Sequence, residues 1–306
     1  MKKQAFTLAE VLIVMALIGF LFTLMIPNLV QKQGSQKYIE SAQKTQTKLQ
    51  EAFTATAKAN KNLMPMDWKN VRESSNKSEA IIKELSKNLQ IMSYCGDSHL
   101  GCFSTNGYRT LNGLPTKVIT DPMNPYEKTI QHFEMTNNYE EDMEETDENS
   151  NENSDENSPK EKPEKSHYTK ANPEASSTYV SLLEGGSMVI KTNSEYCNGI
   201  IPSTDPLERP LCGVIYLDIN GPAIPNMLGV DVFGFYISGN TILPMGFLGD
   251  SNAFEYNCLR ETPNKNKYNG LGCSAWALKN KNMEYRKCLA GTRLEWTGAT
   301  RCDLPK

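Results

Sequence analysis

The sequence predicts an α+β fold: a long N-terminal α-helical spine packed on an antiparallel β-sheet head. Three features carry that prediction. Phe6 to Ile26 is an apolar block in which Glu10 is the single charged residue. From Tyr38 to Ala59 apolar residues recur at the spacing of an amphipathic helix. Beyond Ser176, short β-branched and aromatic runs alternate with Gly- and Asn-containing turns.

The N-terminus starts with Lys2 and Lys3 and no acid before the apolar block. As a helix, Phe6–Ile26 would be about 31 Å long at roughly 1.5 Å per residue, enough to cross a bilayer core. The basic flank belongs on the cytoplasmic side. A cleaved secretory leader fits poorly. The apolar run is longer than a signal core, and "TLMIPNLVQKQ" offers no small-x-small cleavage site. A plain membrane anchor explains the length but not Glu10, since a carboxylate in the bilayer costs about 2.5–3.5 kcal/mol on insertion scales.

The segment "KKQAFTLAEVLIVMALIGFLFTLMIP" resembles the N-terminus of type IV pilins and type II secretion pseudopilins. The resemblance implies that residues 1–5 are a leader removed by prepilin peptidase between Ala5 and Phe6, and that the new Phe6 amine is N-methylated. The family usually carries Gly before the cut; Ala5 stands there in this chain. The family's glutamate falls on Glu10 and its helix-kinking proline on Pro27. The implied protein is a structural subunit of the bacterial inner membrane, single-pass with its head outside the cytoplasm. It would later be built into a pilus or pseudopilus with other pilin subunits by inner-membrane assembly machinery. A buried carboxylate is tolerable beside an opposite charge. Glu10 is therefore expected to meet the Phe6 amine of a neighbouring subunit, against the alternative of a lone protonated Glu.

Residues 6–26 thus read as the transmembrane or filament-core half of the helix and residues 27–60 as its amphipathic continuation. Pro27 removes one backbone donor and should bend the helix rather than end it. The run "ANKNLMP" supplies the stop. Residues 61–136 form the first part of the head, with a second helix expected over Ser78–Leu89. Its apolar face is Ile81, Ile82, Leu85 and Leu89, and Asn76 with Glu79 makes a relative of the capping box.

Residues 137–172 read as a disordered acidic insert. Glu140–Ser158 holds ten acids, no base and one apolar residue, too little to offset ordering entropy. Removing those ten from the chain's 36 acids leaves 26 against 32 bases, so the formal charge of −4 describes the insert rather than the remainder.

Residues 173–306 read as a β-rich head. "TYVSLLEGGSMVIKT" and "DVFGFYISGNTILP" are hairpins, and "CGVIYLDIN" is a strand ending at the Asn220-Gly221 turn. The block "GVIYLDINGPAIPNMLGVDVFGFYI" is similar to one in bacterial prepilin-type proteins, as is "GCSAWALKNKNMEY". Asp218, Asn220 and Asp231 flank a Pro- and Gly-rich loop whose oxygens could ligate Ca²⁺, and some pseudopilins hold Ca²⁺ in a comparable loop. Asp, Asn and Gly also build turns without metal. With no full Asp-x-Asp-x-Asp-Gly loop and distal Glu present, the turn reading is preferred and no other cofactor is expected.

Eight cysteines all follow the apolar segment, which suits disulfides in an oxidising compartment. Many connectivities are open. Pairing sequence neighbours gives Cys95–Cys102, Cys197–Cys212, Cys258–Cys273 and Cys288–Cys302. No C-x-x-C, phosphate-binding Gly loop, G-x-S-x-G or H-E-x-x-H is present, so no enzyme is expected. From Glu255 to Lys306 there are ten bases and five acids, with Trp276, Tyr285 and Trp296 among them. That composition leaves one alternative function: capture of DNA or another polyanion.

Overall fold

The computed structural model describes residues 8–120, 176–192, 197, 199–201, 209–250, 252–260, 266–287, 294–296, 300 and 302; within the first helix the side chains of residues 10 and 21–33 lie outside the description. Met1–Ala5, Phe6, the acidic insert and Cys288 fall outside these residues.

Helix α1 is Leu8–Ala59 and runs through position 27 without ending. It stops where Lys61 and Asn62 adopt φ of 60° and 59°, and the Asn62 amide turns back onto the Ala57 carbonyl at 2.7 Å. Left-handed residues closing the last carbonyls are a common helix end. A 3₁₀ turn at Pro65–Asp67 and helix α2 (Lys69–Arg72) lead to α3 (Lys77–Leu85). The Asn76 side chain accepts from the Glu79 amide at 3.0 Å, as the capping pattern predicts. Helix α3 ends four residues short of the expected Leu89: the amides of Lys87 and Asn88 reach back only three residues, to the carbonyls of Glu84 and Leu85, in a tightened last turn before the chain enters a strand.

Ten strands follow. Six of them, β1 (Ile91–Gly96), β4 (Ser176–Leu182), β5 (Ser187–Thr192), β8 (Gly213–Asp218), β9 (Val232–Ser238) and β10 (Thr241–Pro244), form one antiparallel sheet in the order β1-β4-β5-β8-β9-β10. Two small ribbons pair β2 (Tyr108–Arg109) with β3 (Pro115–Thr116) and β6 (Gly199–Ile200) with β7 (Pro210–Leu211). Helices α4 (Phe254–Asn257) and α5 (Cys273–Asn280) and a 3₁₀ turn at Glu284–Arg286 complete the described elements.

The sheet is buried on both faces, which explains why β8 and β9 read as nearly continuous apolar runs. Alternate residues point to opposite sides. Ile215, Leu217, Phe233, Phe235 and Ile237 join Ile39, Ala42, Leu49 and Phe53 of α1 and Ile81, Ile82 and Leu85 of α3 in one core. Val214, Tyr216, Val232 and Tyr236 join Phe103, Tyr108, Leu228 and Leu271 in a second core on the far face. Gly234 has a packing reason: a Cβ there would lie 2.5 Å from the Met245 sulfur. Each large apolar side chain so buried stabilises the fold by about 1.5–3 kcal/mol.

Candidate functional site

Helix α1 has two unlike halves. Ile39, Ala42, Leu49, Ala52 and Phe53 are buried against the sheet. Every described side chain from Leu8 to Phe20 is exposed instead, with Leu8 at 82%, Met15 at 68% and Phe20 at 62%. Soluble monomers rarely present so continuous an apolar surface to water. Among the described residues no helix is long and apolar enough to cross a membrane. Glu10 lies on this helix, its side chain outside the description, while Ala5 and Phe6 precede the described residues.

Residues distant in sequence fix the head to the buried half. Arg286 Nη1 donates to Ser35 Oγ at 2.9 Å, and Gln43 Nε2 to the Leu278 carbonyl at 2.8 Å. Lys44 and Lys48 both reach Glu184 on the β4–β5 turn. Gln50 bridges to β10, accepting from the Ile242 amide at 2.9 Å. These ties set the end of the head from which α1 departs. Tyr38 marks that end. Burial foremost, and then the charge of Asp231, pushes its phenol up, with Arg286 opposing and Asp218 adding.

The structure brings Asp218, Asn220 and Asp231 together at the β8–β9 loop. Asp218 ends β8, opposite Val232, and both carboxylates are fully buried. Asp231 accepts from the amides of Asn226 (2.8 Å) and Met227 (2.7 Å). Asp218 accepts from the Tyr108 hydroxyl at 2.7 Å and the Asn220 amide at 3.3 Å. Asn220 Nδ2 donates to the carbonyls of Ala223 and Ile224, both at 2.9 Å. Gly221 holds φ 61°, and a Cβ there would meet the Gly185 carbonyl at 3.1 Å. Each residue therefore has a turn-building job. Burial, then the charge of Asp231, pushes the Asp218 carboxyl up to about 8, and burial raises Asp231 as well. The donor set of two carboxylates, with the buried Oδ1 atoms of Asn220 and Asn226 accepting no hydrogen bond, suits Ca²⁺ in kind. Against it, all four carboxylate oxygens already take N–H or O–H donors. Among the described residues no group of three or more acidic, His or Cys side chains is placed to hold a metal.

Three disulfides join Cys95–Cys102, Cys197–Cys212 and Cys258–Cys273, the neighbour pairs expected from sequence. Cys302 is also disulfide-bonded, and Cys288 lies outside the described residues. Three of the ten bases considered for polyanion capture have partners within the head or on α1. Lys279 sits 4.8 Å over the Trp296 ring, Lys287 pairs with Glu284 at 3.0 Å, and Arg286 binds Ser35. Among the described residues nothing supports polyanion capture there.

Residues 1–26 match the family described as "Prokaryotic N-terminal methylation motif". The chain carries the type IV pilin and pseudopilin signature. The matched pilin-type segment contains the exposed apolar stretch of α1, and it points to a structural subunit rather than an enzyme. No curated protein and no solved structure was found to be similar to the chain. Sequence reasoning singled out the N-terminal segment that the methylation motif matches, and the two carboxylates that the structure brings together at the β8–β9 loop. It missed Tyr108 and Ser104 as partners of that loop, and the bond of Arg286 to Ser35. The first lies 110 positions from Asp218 and the last 251 positions from Ser35, distances at which no local pattern signals a partner.

Proposed function

We propose that this chain is a structural subunit of a type IV pilus or type II secretion pseudopilus. Prepilin peptidase cuts between Ala5 and Phe6, and Phe6 is then N-methylated. The helix from Phe6 to Ile26 holds the subunit in the inner membrane with its head outside the cytoplasm. Assembly machinery then moves it from lipid to a filament core. The observation that carries this reading is the coincidence of the methylation motif at residues 1–26 with the exposed apolar half of α1. Exposed apolar surface costs free energy in water that either lipid or neighbouring helices relieve.

Cleavage leaves a free amine at the apolar tip, and Glu10 supplies its counter-charge from an adjoining subunit. A carboxylate in that environment is stabilised by an opposite charge far more than by solvent. The pair sets the register of each incoming subunit. The acidic run Glu140–Ser158 would make close packing along every turn of a filament awkward by like-charge repulsion, which favours a minor subunit over the major one. Replacing Glu10→Gln keeps size and polarity but removes the charge. The proposal expects subunits that are cleaved at Phe6 yet missing from sheared filaments. Normal incorporation of Glu10→Gln subunits would refute the pairing.

A further inference from the structure

The β8–β9 loop carries a feature that its turn chemistry does not explain. Pro222, Ala223, Ile224 and Pro225 are all exposed, Ile224 at 75%. The tip is held firmly. Asn220 clamps the carbonyls of Ala223 and Ile224, and Asp231 clamps the amides of Asn226 and Met227. Asn226 Nδ2 is tied to Ser104 Oγ at 2.9 Å. An apolar tip that is fixed rather than slack is preorganised for contact, since little ordering entropy remains to be lost.

Its position narrows what it touches. The loop joins the end of β8 to the start of β9, and its Gly229 carbonyl accepts from the Tyr285 hydroxyl at 2.8 Å, next to the residue that holds α1. Arg286 fixes Ser35 at the same end. From Ile26 to Ser35 a helix rises only about 13 Å, and the headgroup layer takes up about 5–8 Å of that. A head on so short and stiff a tether sits within a loop's reach of the membrane.

The charge at this end matches a lipid surface. Asp218 and Asp231 are buried, and Glu184 and Glu284 are paired with Lys44, Lys48 and Lys287. Exposed Glu40 accepts only from the neutral Gln36 amide at 3.2 Å and forms no ion pair among the described residues, so one acid faces the two bases that follow. Lys37 and Arg109 are exposed and form no ion pair among the described residues; Arg109 Nη1 donates to the Gly113 carbonyl at 3.0 Å, and its backbone is bonded to Asn226 and Leu228 of the loop. An apolar tip flanked by bases suits the interface of an anionic membrane.

We infer that the Gly221–Pro225 loop is a membrane foot: Ile224 inserts at the lipid interface and Lys37 and Arg109 meet anionic headgroups while the subunit awaits assembly. This rests on the membrane-held reading of α1. The foot stops the head from swinging on its helix and presents the head in one orientation.

The full chain carrying Ile224→Trp, reconstituted in vesicles of phosphatidylcholine and phosphatidylglycerol, tests it. Ile224 is exposed, so the substitution should leave the fold intact, and emission in excess of the unsubstituted chain reports the loop alone. Brominated phosphatidylcholine should quench that excess by at least twofold and aqueous iodide should not. Omitting phosphatidylglycerol should weaken the lipid quenching. Iodide quenching with the chain still floating on vesicles overturns the foot and leaves the anchor standing. Protection from both quenchers that grows with protein density assigns the loop to a second subunit and also overturns it. A chain that does not float with vesicles overturns the anchor and the foot together.

Discussion

Arg286, in the last described 3₁₀ turn, donates its guanidinium to the Ser35 hydroxyl at 2.9 Å across 251 positions of sequence. The bond ties the C-terminal part of the head to α1 one turn before Ile39, the first buried residue of the helix among those described. It locks the angle at which the head is carried on its spine. With Gln43 bound to the Leu278 carbonyl, it forms a second attachment beside the apolar core.

Arg286→Ala should therefore loosen the junction without unfolding the head. A charged-donor hydrogen bond at a part-buried site contributes about 1–2 kcal/mol. Hydrogen exchange of the Ser35–Gln43 amides should quicken by about tenfold while exchange in β8 and β9 stays unchanged. Equal acceleration in the sheet would mean that Arg286 supports the whole fold instead.

The buried Asp218–Asp231 pair predicts a pH dependence. Burial, then its neighbour's charge, moves Asp218 from 3.8 to about 8. An acid whose folded pKa lies above its unfolded value favours folding fully below about 3.8, and that contribution is lost as pH rises toward 8. Asp218→Asn cannot ionise and can still accept from Tyr108. Its Tm should exceed that of the unsubstituted chain by about 4–8 °C at pH 8, corresponding to about 2 kcal/mol, and by little near pH 4. A pH-independent difference would show that Asp218 is ionised throughout.

Removal of calcium separates the two readings of the same loop. If Asp218, Asn220 and Asp231 build a turn, as their backbone bonds indicate, excess EGTA leaves Tm unchanged at pH 7. A chelator-dependent fall reversed by added Ca²⁺ would make these residues ligands, because an ion bound only to the folded state stabilises it by mass action.

Much of this architecture was legible in the sequence. The helix pattern marked Ile39, Ala42, Leu49 and Phe53 as core, and the turns at Gly185-Gly186 and Gly239-Asn240 marked two hairpins that the structure contains. Cysteine order anticipated three disulfides, because each joins residues only 7 or 15 positions apart. Edge strand β1 was not legible: Met92, Ser93 and Tyr94 are all exposed, and two register shifts break its alternation. The ribbons β2–β3 and β6–β7 have two-residue strands, too short to show a period. At the β8–β9 loop, sequence identified the acids, but it could not place Tyr108 as the donor to one of them.

The first residue of the mature polypeptide tests the central claim most directly. Mass analysis of the N-terminal peptide from protein purified out of its native membrane or filament should find N-methylated Phe6, with Met1–Ala5 removed. A polypeptide still starting at Met1, or one starting downstream of Ile26, would contradict the account.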